Sequence, residues 1–163
     1  MIINLDIIPL EKKEDLRVML KKYEQELTGL ADPSEYKYLD SYWLKETRHP
    51  YFIKVDGEVA GFALVNQHCL VQDGGHNLAE FYVIPAFRKQ GVGRTAAFQV
   101  FNLFCGNWEL RELADNSRAR VFWTNVLKDY TQNNFQETVL DTDNWHGPVQ
   151  TFTTDYVKYD GLS

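Results

Sequence analysis

The chain has 163 residues, 44% hydrophobic and 25% charged, with a formal net charge of −6. That length suits one domain with its own core, expected over residues 1–163, and the acidic balance argues against a nucleic-acid partner. No apolar run reaches the ~18 residues a membrane span needs. The start, with Asp6 and no basic stretch before its apolar residues, does not read as a signal peptide, so the cytoplasm is the expected compartment.

Met1 to Ile8 reads as a strand. Leu16, Leu20, Tyr23, Leu27 and Leu30 recur at steps of three and four, one face of a helix that ends near Gly29. Asp32-Pro33 predicts the start of a second helix, with Pro at its first position, carrying Tyr36, Leu39, Tyr42 and Trp43 and ending before Pro50. Tyr51 to Val55 and Val59 to Gln67 form a hairpin around the Asp56-Gly57 turn. After a turn at Asp73-Gly74-Gly75, His76 to Ile84 is a fourth strand. Val92 to Cys105 is an apolar helix and Trp108 to Ala114 a fifth strand, a crossover that implies a parallel pair. Ser117 to Lys128 is a helix capped by Asn116; Phe135 to Leu140 and Val149 to Val157 are strands. Cys69 and Cys105 lack metal-ligand spacing, so buried reduced thiols and no metal are expected.

The informative segment is Val83-Ile84-Pro85-Ala86-Phe87-Arg88-Lys89-Gln90-Gly91-Val92-Gly93-Arg94. It holds three basic residues and no acid. Gly91 and Gly93 allow backbone angles and close approach that other residues forbid. Gly91 opens a helix, whose free N–H groups and dipole suit a pyrophosphate, with Arg88, Lys89 and Arg94 at the rim. Gly91 to Ala96 also fits the dinucleotide pattern G-x-G-x-x-A, with Glu112 where a ribose-binding acid would lie. Six residues between strand and Gly91, a hairpin upstream and a terminal strand pair all count against an NAD-type site.

Val83-x-Pro85-x-x-Arg88-x-x-Gly91-x-Gly93 resembles motif A of the GNAT superfamily of acetyl-CoA-dependent N-acetyltransferases. Asn116-x-x-Ala119-x-x-Phe122-Trp123 resembles its second motif. Ala79 to Val83, Gly106-x-Trp108-Glu109 and Phe122-Trp123 are similar to a group of predicted bacterial acetyltransferases of unassigned substrate. The resemblance implies an α/β (α+β) fold: a mixed, mostly antiparallel sheet with helices on both faces. Its fourth and fifth strands would be parallel and splayed. It implies acetyl-CoA as co-substrate, with its pantetheine arm at Val83 and Ile84. Arg88, Lys89, Gln90, Gly91, Val92, Gly93 and Arg94 would hold the pyrophosphate, and Asn116 would bond the pantetheine arm. Relatives often form homodimers.

Transfer to an amine needs a base, a donor for the carbonyl oxygen and an exit for the thiolate. The family's usual acid is a Tyr at the second position of the aromatic pair, which is Trp123 here, a residue that reads as core packing. Tyr130 replaces it, or solvent does, or no specific acid is needed. A carboxylate five residues before the motif Asn is replaced by Arg111, with Glu109 and Glu112 nearby. Glu80 on the fourth strand is the preferred base, although strand alternation leaves its face open. His76 reads as a surface residue. Cys105 is a poor nucleophile, so direct transfer in a ternary complex is expected. Tyr36, Tyr38, Tyr42 and Trp43, with Glu35, Asp40 and Glu46, are expected around the acceptor, a small-molecule or peptide amine. A CoA-binding sensor without competent catalysis is the alternative.

Overall fold

The computed structural model describes residues 1–155. Its strands are β1 (Ile3–Ile7), β2 (His49–Val55), β3 (Glu58–Asn66), β4 (His76–Val83), β5 (Gly106–Arg111), β6 (Gln136–Asp141) and β7 (His146–Thr154). They form one sheet in the order β1-β2-β3-β4-β5-β7-β6, antiparallel throughout except between β4 and β5. The helices are α1 (Lys13–Thr28), α2 (Ser41–Leu44), α3 (Val92–Phe101) and α4 (Ser117–Thr131). The element order and the mixed sheet are those expected from the sequence.

The sheet is apolar on both faces because helices cover both. On one face α3 and α4 bury Ala97, Val100, Phe101, Trp123, Val126 and Leu127 against strand residues that include Leu78, Trp108 and Leu110. On the other, Leu16, Met19 and Leu20 of α1 pack with Leu39 and Tyr42 on Phe52, Phe62, Leu64 and Tyr82. Each fully buried side chain of this size contributes roughly 1.5–3 kcal/mol. Gly61 is required where β3 meets β4, because a Cβ there would lie 2.0 Å from the Tyr82 carbonyl oxygen.

Several boundaries differ from the sequence reading. The second helix does not start at Pro33: only the single turn α2 forms, and residues 33–40 are turn and coil. So short a helix has no stability of its own; the burial of Leu39 and Tyr42 holds it. Pro50 lies inside β2, where its carbonyl accepts from the Ile8 amide at 3.0 Å. α3 stops at Phe101, so Cys105 is outside it and exposed, while Cys69 is half-buried with a thiol that burial pushes up to about 11. β5 begins earlier and ends earlier, at Gly106 and Arg111. The expected last strand ran to Val157; its residues 156–157 lie outside the described residues. No described helix is long and apolar enough to cross a membrane, and no described cluster of His, Cys, Asp and Glu could hold a metal.

Glu112, just past β5, is not placed to serve as a ribose-binding acid. It is 4% exposed. Gln150 Nε2 donates to Glu112 Oε1 at 2.9 Å and to Glu137 Oε1 at 2.7 Å. Glu112 Oε2 and Gln150 Oε1 have no partner among the described residues. Burial, with the field of Glu137 added, pushes Glu112 up to about 7 against an ordinary 4.5. The folded chain therefore binds this proton more tightly than the unfolded chain. The stability it contributes is full below about pH 4.5 and is lost as the pH rises through about 7. In Glu112→Gln that loss disappears, and the new amide can donate to Gln150 Oε1. Urea unfolding at about pH 5 and about pH 8 should show a smaller drop for the variant than for the wild type. An unchanged drop would contradict this reading.

Candidate active site

The loop before α3 is a cradle of amide donors. Lys89 and Gly91 both take left-handed backbone angles, φ 62° and φ 82°. The first α3 bond is Thr95 N–H to the Gly91 carbonyl, at 3.1 Å. The amides of Lys89, Gln90, Gly91, Val92, Gly93 and Arg94 thus have no protein acceptor among the described residues. Such a run, ending on a helix N-terminus, is an anion nest. A Cβ on Gly91 would meet nothing within 4 Å, so the space over the nest is open, and it is the positive φ that calls for glycine. Gly93 answers a different need: a Cβ there would press on the Phe122 ring at 3.1 Å.

The basic residues divide their work. Arg88 is not a free rim charge. Its Nε donates to the Val83 carbonyl at 2.8 Å, its Nη2 reaches both oxygens of Glu26 at 3.0 Å, and it lies over the Tyr82 ring. It ties the loop to α1 and β4. Arg94 pairs with Asp129 at 3.2 Å and rides on Phe98. Lys89 is exposed, and Gln90 Nε2 donates to the Ala86 carbonyl at 3.3 Å.

β4 and β5 pair only over His76–Leu78 with Trp108–Leu110. β4 runs on to Val83 beside β3 alone. The register of β3 and β4 shifts where Leu64 faces Glu80 and Val65 faces Leu78, which makes Ala79 a bulge. Ile84 N–H donates to the Ala60 carbonyl at 2.7 Å. By alternation, the main-chain groups of Phe81 and Val83 face the open gap. The Ile84 amide is therefore engaged on the β3 side, and Phe81, which the sequence did not single out, takes its place at the gap. Asn116 caps α4, its Oδ1 accepting from Ala119 N–H at 3.2 Å.

The bulge also decides the face of Glu80. Leu78 and Phe81 pack toward α3 and α4, whereas Glu80 and Tyr82 point toward α1. Tyr23 donates to Glu80 Oε1 at 2.9 Å and Tyr36 to Oε2 at 3.1 Å. Burial pushes Glu80 up to about 7; the two tyrosine hydroxyls and Arg111 pull it down, and Glu24 pushes it up. The same burial and the Glu80 charge hold Tyr23 and Tyr36 well above the usual phenol range. The result is a carboxylate poised to exchange a proton near neutrality.

Other expected residues sit elsewhere. Tyr130 donates to Asn102 Oδ1 at 2.7 Å and packs on Phe98 and Phe101. α4 runs back along the sheet, so at about 1.5 Å per residue some 21 Å of helix separates Tyr130 from Asn116. It cannot reach the gap. Trp123 is 8% exposed and packs edge-on against Phe81 at 5.0 Å, as expected of core. His76 is half-buried, stacked on Phe104 at 4.1 Å beside His49, at the end of β4 away from the gap. Glu35 and Asp40 are spent on Arg17 and Lys13, and Trp43 Nε1 donates to the Ile8 carbonyl. Glu109 is fully buried and accepts from the amides of Leu70, Val71 and Gln72, which fixes the β3–β4 loop. The Tyr23 contact was invisible in sequence because its helical spacing already explained it as core.

Solved structures with this fold include an acetyltransferase from Thermus thermophilus, 12% identical, with TM-score 0.72 over 94% of this chain and 97% of that one. The paia N-acetyltransferase from Thermoplasma acidophilum, in complex with coenzyme A, is 14% identical, with TM-score 0.62 over 94% and 99%. The ribosomal-protein-S18-alanine N-acetyltransferase from Escherichia coli is 16% identical, with TM-score 0.63 over 99% of both chains. Among curated proteins no sequence matches. Residues 16–124, well over half of the chain, match the model of the acetyltransferase (GNAT) family, and the chain belongs to that family of acetyl-CoA-using enzymes.

Proposed function

We propose that residues 1–163 work as one domain that transfers an acetyl group directly to an amine in a ternary complex, with Glu80 as the base. The observation that carries this reading is the position of Glu80: a carboxylate held by two phenols, beside the part of β4 that has no β5 partner. Bound acetyl-CoA supplies an acyl thioester, and the acceptor nitrogen takes the acyl group as the C–S bond breaks. The nest from Lys89 to Arg94 holds the pyrophosphate through main-chain N–H groups. The Phe81 groups and the Val83 N–H at the gap pair with the pantetheine arm, the Val83 carbonyl being held by Arg88, and a β4 amide donates to the carbonyl oxygen as charge develops there. Asn116 keeps its Nδ2 for the arm while its Oδ1 caps α4. Glu80 accepts the proton of the attacking amine.

The departing thiolate takes its proton from solvent. With Tyr130 bonded to Asn102 and Trp123 packed on Phe81, neither supplies it. A thiol is far more acidic than an alcohol, with cysteine itself near ~8.5, so a thiolate leaves tolerably without a dedicated acid. The same two residues favour a second reading, a CoA-binding sensor with weak catalysis. Turnover of acetyl-CoA with any amine decides between the two.

Gly91→Glu places a side chain and a negative charge in the open space over the nest, at a residue with φ 82°. Calorimetric titration with acetyl-CoA should show binding by the wild type and at least a ~100-fold loss in the folded variant. Equal affinity would remove the loop from the site. The second test reads the acid limb of kcat/KM. Glu80 must be ionised to act, so the rate should fall as the pH drops through about 7. Tyr36→Phe removes a donor that favours the carboxylate, so the limb should move up, by about one pH unit. Glu80→Gln should lose the limb with most of the rate. A limb that stays put in Tyr36→Phe would detach it from Glu80.

A further inference from the structure

On the same sheet face as Glu80 lie two arginines without a carboxylate partner. Arg111, on β5, donates from Nη1 to the His68 carbonyl at 3.2 Å and lies 5.3 Å from the Trp145 ring centre. Arg48, just before β2, has its Nη2 3.1 Å from His68 Nε2 and lies over the rings of Tyr38 and Tyr42, at 5.4 Å and 5.6 Å. Neither makes an ion pair with Asp or Glu among the described residues, nor does the exposed Arg118, whereas Arg17, Arg88, Arg94 and Arg120 all do. In an acidic protein that contrast is notable, since surplus carboxylates are at hand. Arg111 lies in the field of Glu109 first and of Glu80 next, without an ion pair to either, and the Tyr42 hydroxyl feels both Glu80 and Arg48. That hydroxyl is buried beside Tyr36 and Arg48.

Both side chains are half-buried, so each has given up part of its hydration. Their anchors hold one edge of each guanidinium: a carbonyl for Arg111, a histidine nitrogen for Arg48. A guanidinium has five N–H donors in a planar fork, and most remain unused here. Aromatic rings support both forks and fix their planes. Such preparation suits a planar or tetrahedral oxyanion, which a fork can take with two parallel bonds. A neutral acceptor would gain nothing from it, and a purely cationic one would be repelled by it.

We propose that the acceptor amine also carries an oxyanion, and that Arg111 and Arg48 bind it while the amine meets Glu80. This rests on the reading of Glu80 as the base of an acetyltransferase. The substrate class is then an amine acid: an amino acid or similar carboxylate, or an aminoalkyl phosphate. The pairing is economical. Glu80 attracts the ammonium and then takes its proton, and the arginines orient the molecule from its other end.

The test compares matched acceptors with acetyl-CoA: the common amino acids, their carboxamides, and O-phosphoethanolamine. Wild-type kcat/KM should favour acceptors with a carboxylate or phosphate over the uncharged partners by between about 10- and about 100-fold. The preferred anion distinguishes the two sources. Read at a pH above the Glu80 limb of both proteins, so that the loss of the Arg111 charge beside the base does not enter, Arg111→Met should erase most of that preference through KM and leave acetyl-CoA affinity unchanged. Arg111→Lys, which keeps the charge but not the fork, should fall between, and Arg48→Met should act in the same direction. Carboxamides turned over as well as free acids would overturn the proposal and leave the acetyltransferase reading intact. An Arg111→Met loss equal for both acceptor types would overturn it too. Failure to bind acetyl-CoA at all would instead overturn the reading beneath it.

Discussion

The parting of β4 from β5 is the constraint on which the rest of the site depends. Two parallel strands in a sheet normally share a ladder along their length, and these share three residue pairs. Beyond Leu78 the backbone of β4 has donors and acceptors aimed at nothing in the sheet. In a folded protein such groups are costly unless water or a ligand meets them. The bulge at Ala79 brings this about. It adds one residue to β4, bends the strand and changes the parity of everything after it. Through that one residue, Phe81 and Val83 present their main chain to the gap, and Glu80 turns to the face covered by α1.

The two faces of β4 then have different duties. Toward α3 and α4, packing is tight: Phe81 against Trp123, Gly93 against Phe122. This face holds the nest at the start of α3 in a fixed relation to the gap. Arg88 adds a tether from the loop to both α1 and Val83. Toward α1 the residues are polar and aromatic, and their hydroxyls converge on one carboxylate. A rigid face beside a chemically active face is what a transfer between two bound molecules needs, since small errors in the approach of the reacting atoms cost rate.

Much of this was legible in the sequence. The order of the elements followed from periodicity, because each helix and strand has one strong apolar pattern. The loop from Arg88 to Arg94 stood out because basic residues and glycines were concentrated in an acidic chain. What could not be read were features set by register and by distant contacts. The facing of Glu80 depended on Ala79, an ordinary alanine with no local sign of a bulge. Pro33 looked like a helix start, but Tyr36 is drawn to Glu80 and the segment stays extended enough to reach it. Tyr130 lay within a turn or two of the right place in sequence. Helix direction put it at the other end of the sheet, where its hydroxyl donates to Asn102 Oδ1. Glu109 looked like a candidate base, and its carboxylate proved to be occupied by three loop amides.

The charges near the gap carry a further lesson about buried acids. Burial alone would hold Glu80 protonated at neutral pH, useless as a base. Full solvation would leave it ionised and too weak to take a proton from an ammonium. Here opposing influences bring it to about 7: loss of water and the field of Glu24 on one side, two phenol hydroxyls and the field of Arg111 on the other. Arg111 therefore does two things from one position on β5. It lowers the energy of the carboxylate and, with no ion pair among the described residues, keeps donors for an anion. A carboxylate at position 111 would raise Glu80 further and close the site to an anionic acceptor, by the same Coulombic sign. The exchange of an acid for an arginine on β5 and the placement of the acid on β4 are thus two halves of one electrostatic arrangement.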